Sequence, residues 1–191
     1  MLENKVRFIS TTFKLKHEFE IANCQLPIAN SMCTQILNSY FCQMETQTHR
    51  YGRTEAERIV ESFLHCNLAK EKYTHAAHIL AGFYLYCHHG LEAFQLMEKH
   101  IILFNNSVNT INSDDSGYHK TITYFWINAI GQFAAKFDSV SFSDESILRI
   151  YDSPLMDKNL PLNFYSREWL FTKKARREIV EPDIKPILKI F

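Results

Sequence analysis

The sequence predicts an all-α fold, a single-domain bundle of about six or seven helices. Apolar residues recur at three- and four-residue steps in most of the chain, and that spacing is the period of an amphipathic helix. The 191 residues include only 5 glycines and 5 prolines, whereas turn-rich β proteins need more of both. Serine and threonine also stand where helix N-caps are expected. Together these observations favour helices joined by short connections.

The length fits one domain, to which the sequence pattern adds an N-terminal arm. Residues 1–28 form the predicted arm, in which partial alternation of apolar residues fits either a short strand or an extended segment laid on the helices. Residues 29–191 form the predicted helical domain, which opens with an amphipathic helix over residues 29–47.

Capping signals define the next two predicted helices. Thr54 and Glu57 match a capping box, which predicts a helix that ends near Asn67. Thr74 is the predicted N-cap of the following helix. Gly90 ends that helix, because glycine accepts the left-handed backbone conformation without a Cβ clash.

The second half of the domain continues the helical pattern. A helix over residues 91–105 follows almost at once, and so short a connection favours an antiparallel hairpin. After a polar loop over residues 106–116 comes the most apolar helix, residues 120–137, which we expect at the centre, packed against the helix after Thr74. Three shorter helices are predicted to start at the N-caps Ser143, Ser166 and Thr172.

Charge and cysteine usage exclude several classes of protein. Lys+Arg and Asp+Glu both number 21, so the formal charge is zero and a basic nucleic-acid binder is not expected. The longest apolar stretch, residues 79–87, is far shorter than the roughly 20 residues that span a membrane. With no export signal and no paired cysteine spacing, we expect a cytoplasmic protein with reduced thiols. The five cysteines are Cys24, Cys33, Cys42, Cys66 and Cys87.

Three histidines are the candidate metal ligands. His75 and His78 stand three residues apart, on one face of a predicted helix, and His119 opens the most apolar helix. Three imidazoles in one pocket can hold Zn²⁺ or Fe²⁺ with an open coordination position. Asp114 and Asp115 can complete the shell, although the sequence favours them as residues of a loop turn. Gly82, one turn after His78, leaves room for a ligand or for another helix. The alternative for His75 and His78 is that they are two polar residues in the first turn of a helix. The alternative for His119 is a core histidine whose hydrogen bonds are satisfied within the protein.

Four further residues are candidates for binding a ligand: Tyr118, Thr123, Tyr165 and Arg167. The fork of donors on Arg167 suits a carboxylate or a phosphate. The alternative explanation of the basic C-terminal region is internal pairing. Residues 167–189 carry seven Lys/Arg and four Asp/Glu, and residues 138–157 carry five acids and one arginine.

Four stretches resemble, in this order, a family of uncharacterised bacterial proteins of similar length. They are YTHAAHI at residues 73–79, GYHKTIT at 117–123, YSRE at 165–168 and ARREIVEPD at 175–183. The resemblance covers roughly residues 55–187, although Lys120 replaces what is more often glutamate in that family. It implies that the histidine, tyrosine and arginine positions matter, without implying an activity.

The sequence leaves three functions open. The first is an enzyme that uses a divalent metal on His75, His78 and His119 to act on a small molecule. The second is a metal-free module for a small anion or metabolite, in which the same side chains are hydrogen-bond donors. The third is an interaction protein without a pocket, whose aromatic surface serves oligomerisation. The oligomeric state and the substrate do not follow from the sequence.

Overall fold

The computed structural model describes residues 50–191, and in this part all regular secondary structure is helical, which confirms the predicted fold class. The α-helices are α1 (Arg53–Leu64), α2 (His75–His89), α3 (Ala93–Ser107), α4 (Lys120–Ala134), α5 (Asp144–Tyr151), α6 (Arg167–Leu170) and α7 (Lys173–Arg177). Short 3₁₀ turns lie at Lys70–Lys72, Gly90–Glu92, Pro154–Met156 and Leu160–Asn163. The predicted arm and the helix predicted over residues 29–47 lie outside the described residues.

Helices α2 and α4 pack against each other at the centre of the bundle formed by residues 50–191. They approach closely at Gly82, where an added Cβ would lie 2.8 Å from Cδ1 of Ile130 and 3.2 Å from Cδ1 of Ile127. Gly82 therefore leaves room for the neighbouring helix rather than for a ligand. The contact confirms that the helix after Thr74 packs against the helix after His119.

Helices α1 and α3 both pack against α2 and against each other. An aromatic cluster fills part of the space between them, with the Tyr73 ring stacked on Phe63 at 4.9 Å and tilted against Phe104 at 4.7 Å. Phe63 and Phe104 are fully buried, and aromatic side chains remove the largest apolar areas from water. This packing fixes the segment that precedes α2.

Most of the predicted helix caps are present. The Thr74 hydroxyl accepts the N–H of Ala77 at 3.3 Å, and Ser143, Ser166 and Thr172 cap α5, α6 and α7 in the same way. Gly90 follows α2 with φ of 56°, in the left-handed region, as predicted. A single 3₁₀ turn then joins α2 to α3.

The capping box predicted at Thr54 is wrong. The N-cap of α1 is Gly52, two residues before Thr54, and it has no side chain to bond the helix. Instead, Oδ1 of Asp144 accepts the N–H of Arg53 at 2.8 Å, so a carboxylate at the start of α5 satisfies this donor of α1. The helix also ends earlier than predicted, at Leu64, and α4 ends at Ala134.

The acidic and basic segments form ion pairs within the described chain, but the pairs do not join one segment to the other. Within the acidic segment Glu145 binds Arg149 at 2.6 Å, and Asp152 binds Arg50 at 2.8 Å. The basic segment turns to Asp114, which Arg177 contacts at 2.5 Å. The acidic segment thus pairs within itself and with Arg50, and the basic segment pairs with Asp114.

Two of the five cysteines lie in the described part, and both Cys66 and Cys87 are free thiols. Burial raises the pKa of Cys87 to about 12, so this thiol stays protonated and is a poor nucleophile. Cys24, Cys33 and Cys42 lie outside the described residues. Among the helices of residues 50–191, none combines the length and the apolar character that crossing a bilayer requires.

Candidate functional site

His75 and His78 lie in the first turn of α2, with the three-residue spacing that puts them on one face. The Nε2–H of His75 donates to the carbonyl of Leu155 at 2.8 Å, and the His75 ring lies 4.8 Å from the ring of Trp126. Burial lowers the pKa of His75. His75 is thus a neutral side chain that ties the start of α2 to the turn after α5.

His78 forms a neutral pair with Tyr73, whose hydroxyl lies 2.8 Å from Nδ1 of His78. Burial raises the pKa of Tyr73, whereas burial and then the charge of nearby His75 lower the pKa of His78 to about 4. Tyr73 therefore keeps its proton, and its hydroxyl donates a hydrogen bond to Nδ1, which places the His78 hydrogen on Nε2. The pair joins the turn before α2 to the helix itself.

His119 is the N-cap of α4 and uses both ring nitrogens. Its Nε2–H donates to the carbonyl of Leu170 at 2.9 Å, and its Nδ1 accepts the N–H of Ile122 at 3.3 Å. Only the neutral ring can form both bonds. Burial, followed by the positive charge of Arg176, lowers the pKa of His119 to about 4. His119 is the satisfied core histidine that the sequence left open as an alternative.

The three histidines are not brought together as a metal-binding group. His75 and His78 are neighbours on α2, but His119 bonds residues of α4 and α6 and shares no hydrogen-bond partner with them. Across residues 50–191, no three His, Cys, Asp or Glu side chains are grouped so as to hold a metal ion. The predicted Zn²⁺ or Fe²⁺ site is therefore not assembled here, because each ring has found a protein partner.

Tyr165 belongs to a set of side chains that we call the C-terminal clamp: Thr121, Tyr165 and Trp169. The fully buried Tyr165 donates its hydroxyl to the carbonyl of Val180 at 3.1 Å. Thr121 donates to the carbonyl of Glu178 at 2.7 Å and accepts the N–H of Val180 at 3.1 Å, and Trp169 donates to the next carbonyl. Tyr165 thus holds the segment after α7, and the hydroxyl that was predicted to bind a ligand is bonded to the chain itself.

Thr123 and Arg167 also have structural partners. The buried Thr123 hydroxyl donates to the carbonyl of His119 at 3.0 Å, within its own helix. Arg167 is exposed, and its guanidinium lies over the ring of Phe171 at 5.6 Å from the centroid. That ring in turn meets the His119 ring edge-on at 6.3 Å. Arg167 therefore packs on the aromatic ring that lies beside His119.

Tyr118, unlike the other predicted ligand-binding residues, lines a cleft of about 340 Å³ between α3, the loop before α4, and α7. We call it the Tyr118 cleft. Its lining residues are Glu98, Ile102, Asn112, Ser113, Asp114, Tyr118, Arg176 and Arg177.

The base of the loop over this cleft is firmly built. Oδ1 of Asn112 accepts both the N–H of Tyr118 at 2.9 Å and the side-chain N–H of Asn105 at 2.8 Å. Gly117 has φ of 77°, and an added Cβ would come 2.5 Å from the same oxygen, so only glycine fits. Nη1 of Arg176 then donates to the carbonyls of Gly117 and Tyr118, each at 3.1 Å.

The Tyr118 hydroxyl is buried and has no hydrogen-bond partner within the described part of the chain. Burial, and then the negative charge of Glu98, raise the pKa of Tyr118. A buried hydroxyl without a partner is uncommon, because it loses its bonds to water without replacing them. Tyr118, which lines the cleft, thus carries a polar atom that the described chain leaves unsatisfied.

Charged side chains surround the cleft in two groups. Arg177 holds Asp114 with both donors of its fork, Nε to Oδ1 at 2.6 Å and Nη2 to Oδ2 at 2.5 Å, and Lys173 lies 3.8 Å from the same carboxylate. Glu98 pairs with Lys120 at 3.3 Å. The lining itself has two arginines, Arg176 and Arg177, and two carboxylates, and the two lysines pair with these carboxylates from beside the cleft.

Sequence reasoning found Tyr118 and missed the arginines beside it. Arg176 and Arg177 stand in the last of the four stretches that carry the family resemblance, and this signal could have selected them over Arg167. Glu98 lies within an ordinary amphipathic helix, where nothing in the sequence distinguishes it.

No protein-family model matches the chain, and neither the curated proteins nor the solved structures include a significant match. The resemblance to uncharacterised bacterial proteins therefore stays a prediction. Function has to be argued from the geometry alone.

Proposed function

We propose that this chain is a metal-free binding module for a small anionic molecule, with the Tyr118 cleft as its site. The observation that carries the proposal is a cleft of about 340 Å³ that joins a buried, unpartnered tyrosine hydroxyl to two arginines. Binding sites for small molecules start at roughly 300 Å³ and combine apolar walls with a few placed polar groups. Ile102 and the Tyr118 ring supply apolar surface here.

Arg176 is the side chain best placed to hold an anion. Its Nη1 is fixed by two loop carbonyls, and its other donors have no hydrogen-bond partner among residues 50–191. The side chain is half-buried, so its charge is less screened than that of an exposed arginine. A guanidinium fixed on one edge presents the other edge for a carboxylate or phosphate oxygen.

The contacts of the histidines favour this module over the metal-dependent enzyme. His75 and His119 each donate a ring N–H to a backbone carbonyl, and His78 accepts a hydrogen bond from the Tyr73 hydroxyl. These bonds account for the histidines as structural groups, whereas the Tyr118 hydroxyl has Glu98 and Thr123 as polar neighbours but completes no hydrogen bond within the described chain.

Calorimetric titration of the full chain with inorganic phosphate tests the proposal. We expect saturable one-to-one binding, with a Kd on the order of 1 mM. Arg177→Gln removes a cation from the cleft and is expected to weaken binding about fivefold or more. Arg149→Gln is the matched control, because Arg149 is an exposed arginine paired with Glu145 on α5 and does not line the cleft.

Two results would contradict the proposal. One is the absence of saturable phosphate binding by the wild-type chain. The other is equal weakening by Arg177→Gln and Arg149→Gln, which would show that phosphate responds to overall charge and not to the cleft.

A further inference from the structure

The Tyr118 cleft contains an anion of its own, the carboxylate of Asp114. We infer that Asp114 occupies the place of the ligand's oxyanion on Arg177, so that the site is self-inhibited and a bound carboxylate or phosphate displaces the tip of the loop. This inference rests on the proposed function and adds its regulation. Three observations carry it: the occupied fork of Arg177, the construction of the loop, and the open approach to the guanidinium.

The first observation is that Asp114 uses the arginine as a ligand would. Both carboxylate oxygens are bonded, to Nε at 2.6 Å and to Nη2 at 2.5 Å, which is the two-pronged geometry by which arginine binds free carboxylates and phosphates. Lys173, 3.8 Å away, adds a second cation to the same position. A ligand oxyanion that binds Arg177 in this way must replace Asp114.

The second observation is that the loop has a fixed base and a lightly held tip. Asn112 and Gly117 form the base, which Asn105 and Arg176 bond from two sides. Between them, the turn at residues 113–116 is closed by the N–H of Ser113 on the Ser116 carbonyl at 2.9 Å and by a bond of 3.3 Å within the tip. Asp114 can therefore swing out while the base stays in place.

The third observation is the difference in exposure across the pair. The Arg177 side chain is 66% exposed, whereas that of Asp114 is 27% exposed. An anion can thus reach the guanidinium from solvent before Asp114 has left. Ion pairs with an exposed partner contribute little to stability, so the exchange of one carboxylate for another costs little.

The test compares two neutralised carboxylates in the full chain, with inorganic phosphate and succinate as separate probes. Asp114→Asn removes the competitor, and we expect binding about tenfold tighter, the change expected if roughly a tenth of the wild-type molecules have Arg177 free. Glu98→Gln is the matched control. It removes one negative charge from the same cleft without touching Arg177, so it is expected to tighten binding by no more than about threefold.

A double-variant cycle separates displacement from simple charge. In the Arg177→Gln background the fork is gone, and Asp114→Asn is expected to give only the small gain seen with Glu98→Gln. Equal gains from Asp114→Asn in both backgrounds would overturn the inference, as would equal gains from Asp114→Asn and Glu98→Gln. Either result would leave the proposed function standing, whereas the absence of binding of both probes by every variant would overturn both.

The choice of probe reports which oxyanion fits the position of Asp114. Tightening for both probes supports a site for oxyanions in general, and tightening for succinate alone supports a site for carboxylates. If Asp114→Asn tightens binding of neither probe although the wild-type chain binds them, Asp114 is a structural partner of Arg177 and the inference fails.

Discussion

The three histidines and the Tyr118 cleft differ in how their polar atoms are partnered. At the histidines, a Tyr73 hydroxyl and two backbone carbonyls meet the ring nitrogens at 2.8–2.9 Å. At the cleft, a buried tyrosine hydroxyl has no partner in the described chain, and Arg176 leaves part of its guanidinium unused. The two regions therefore differ in whether the described chain itself supplies the hydrogen-bond partners of their polar atoms.

The comparison teaches that burial of a polar residue is a weak sign of function. His119 is as well buried as a catalytic histidine would be, but it closes the start of α4 and holds α6. Tyr118 as a whole is less buried than His119, and what distinguishes it is a single buried atom, the hydroxyl oxygen, that has no hydrogen-bond partner in the described chain. The predictions below test whether the two regions respond to change as this difference requires.

Acidification is expected to have the largest effect, and it acts on the histidines. The pKa values of His78 and His119 in the folded chain are about 4, below the ordinary 6.5, so the unfolded chain binds protons first as the pH falls. The stability that comes from keeping these two histidines neutral is then fully present above pH 6.5, and it is lost as the pH falls toward 4. At pH 5 the loss amounts to about 2 kcal/mol for each histidine.

Urea unfolding at pH 7 and pH 5 measures this loss. The variant His119→Asn should show a smaller loss, because His119 no longer contributes while His75 and His78 are still held neutral by burial. Exposed His89 supplies the control, because His89→Asn should leave the pH dependence unchanged. Equal unfolding free energies at the two pH values would show that the histidines are not held neutral.

His119→Ala is expected to lower the free energy of unfolding by about 3 kcal/mol. The change removes an N-cap and leaves the carbonyl of Leu170 without its donor, and these losses combine. His89→Ala should change stability by less than about 0.5 kcal/mol. Denaturant unfolding at pH 7 compares the two, and a loss below about 1 kcal/mol for His119→Ala would contradict the assigned bonds.

Thr121→Val is expected to cost about 2 kcal/mol, because it removes the hydroxyl that both donates to Glu178 and accepts from Val180 while keeping the side-chain shape. The amide of Val180 should also exchange with solvent faster. Hydrogen exchange detects this directly, and unchanged protection of Val180 would mean that Thr121 does not hold the C-terminal segment.

Tyr118→Phe is expected to have the smallest effect, a change below about 0.5 kcal/mol or a slight gain, since the hydroxyl that it removes has no partner to lose. Tyr165→Phe is the matched comparison: its hydroxyl is bonded to Val180, and its loss should cost about 1–2 kcal/mol. Equal losses in thermal or urea unfolding would remove the distinction between the two regions.

Features that depend on nearby residues could be predicted from the sequence. The caps at Thr74, Ser143, Ser166 and Thr172 need only the N–H groups within the next three residues, and each was confirmed. The stop at Gly90 depends on one backbone angle. The central helix was also predictable, because its apolar residues cover most of its surface.

Features that depend on distant residues could not be predicted. The N–H of Arg53 is capped by Asp144, 91 residues away, so the local capping box at Thr54 had a competitor that the sequence does not show. The partners of His75 and His119 are backbone carbonyls 80 and 51 residues away. Every residue has a backbone carbonyl, so the order of the side chains does not show which carbonyl will accept a hydrogen bond from a distant histidine.

The candidate site was predicted in part. Tyr118 was selected because it stands where a polar loop meets an apolar helix, and the structure places it in the lining of the cleft. Arg167 was selected instead of Arg176, although both lie in the same basic segment. Arg176 reaches the loop before α4 because its face of the short helix α7 meets that loop. Which face does so depends on the packing between α7 and α4, which the sequence does not show.

The most direct test of the central claim, that the cleft binds anions and the histidines do not, is a phosphate titration of the ¹⁵N-labelled full chain followed by amide chemical shifts at pH 7. The account predicts saturable shifts concentrated at residues 112–118 and 176–177, with the amides of His75 and His78 unmoved. Shifts centred on the start of α2, or no saturable shift in the loop, would contradict it.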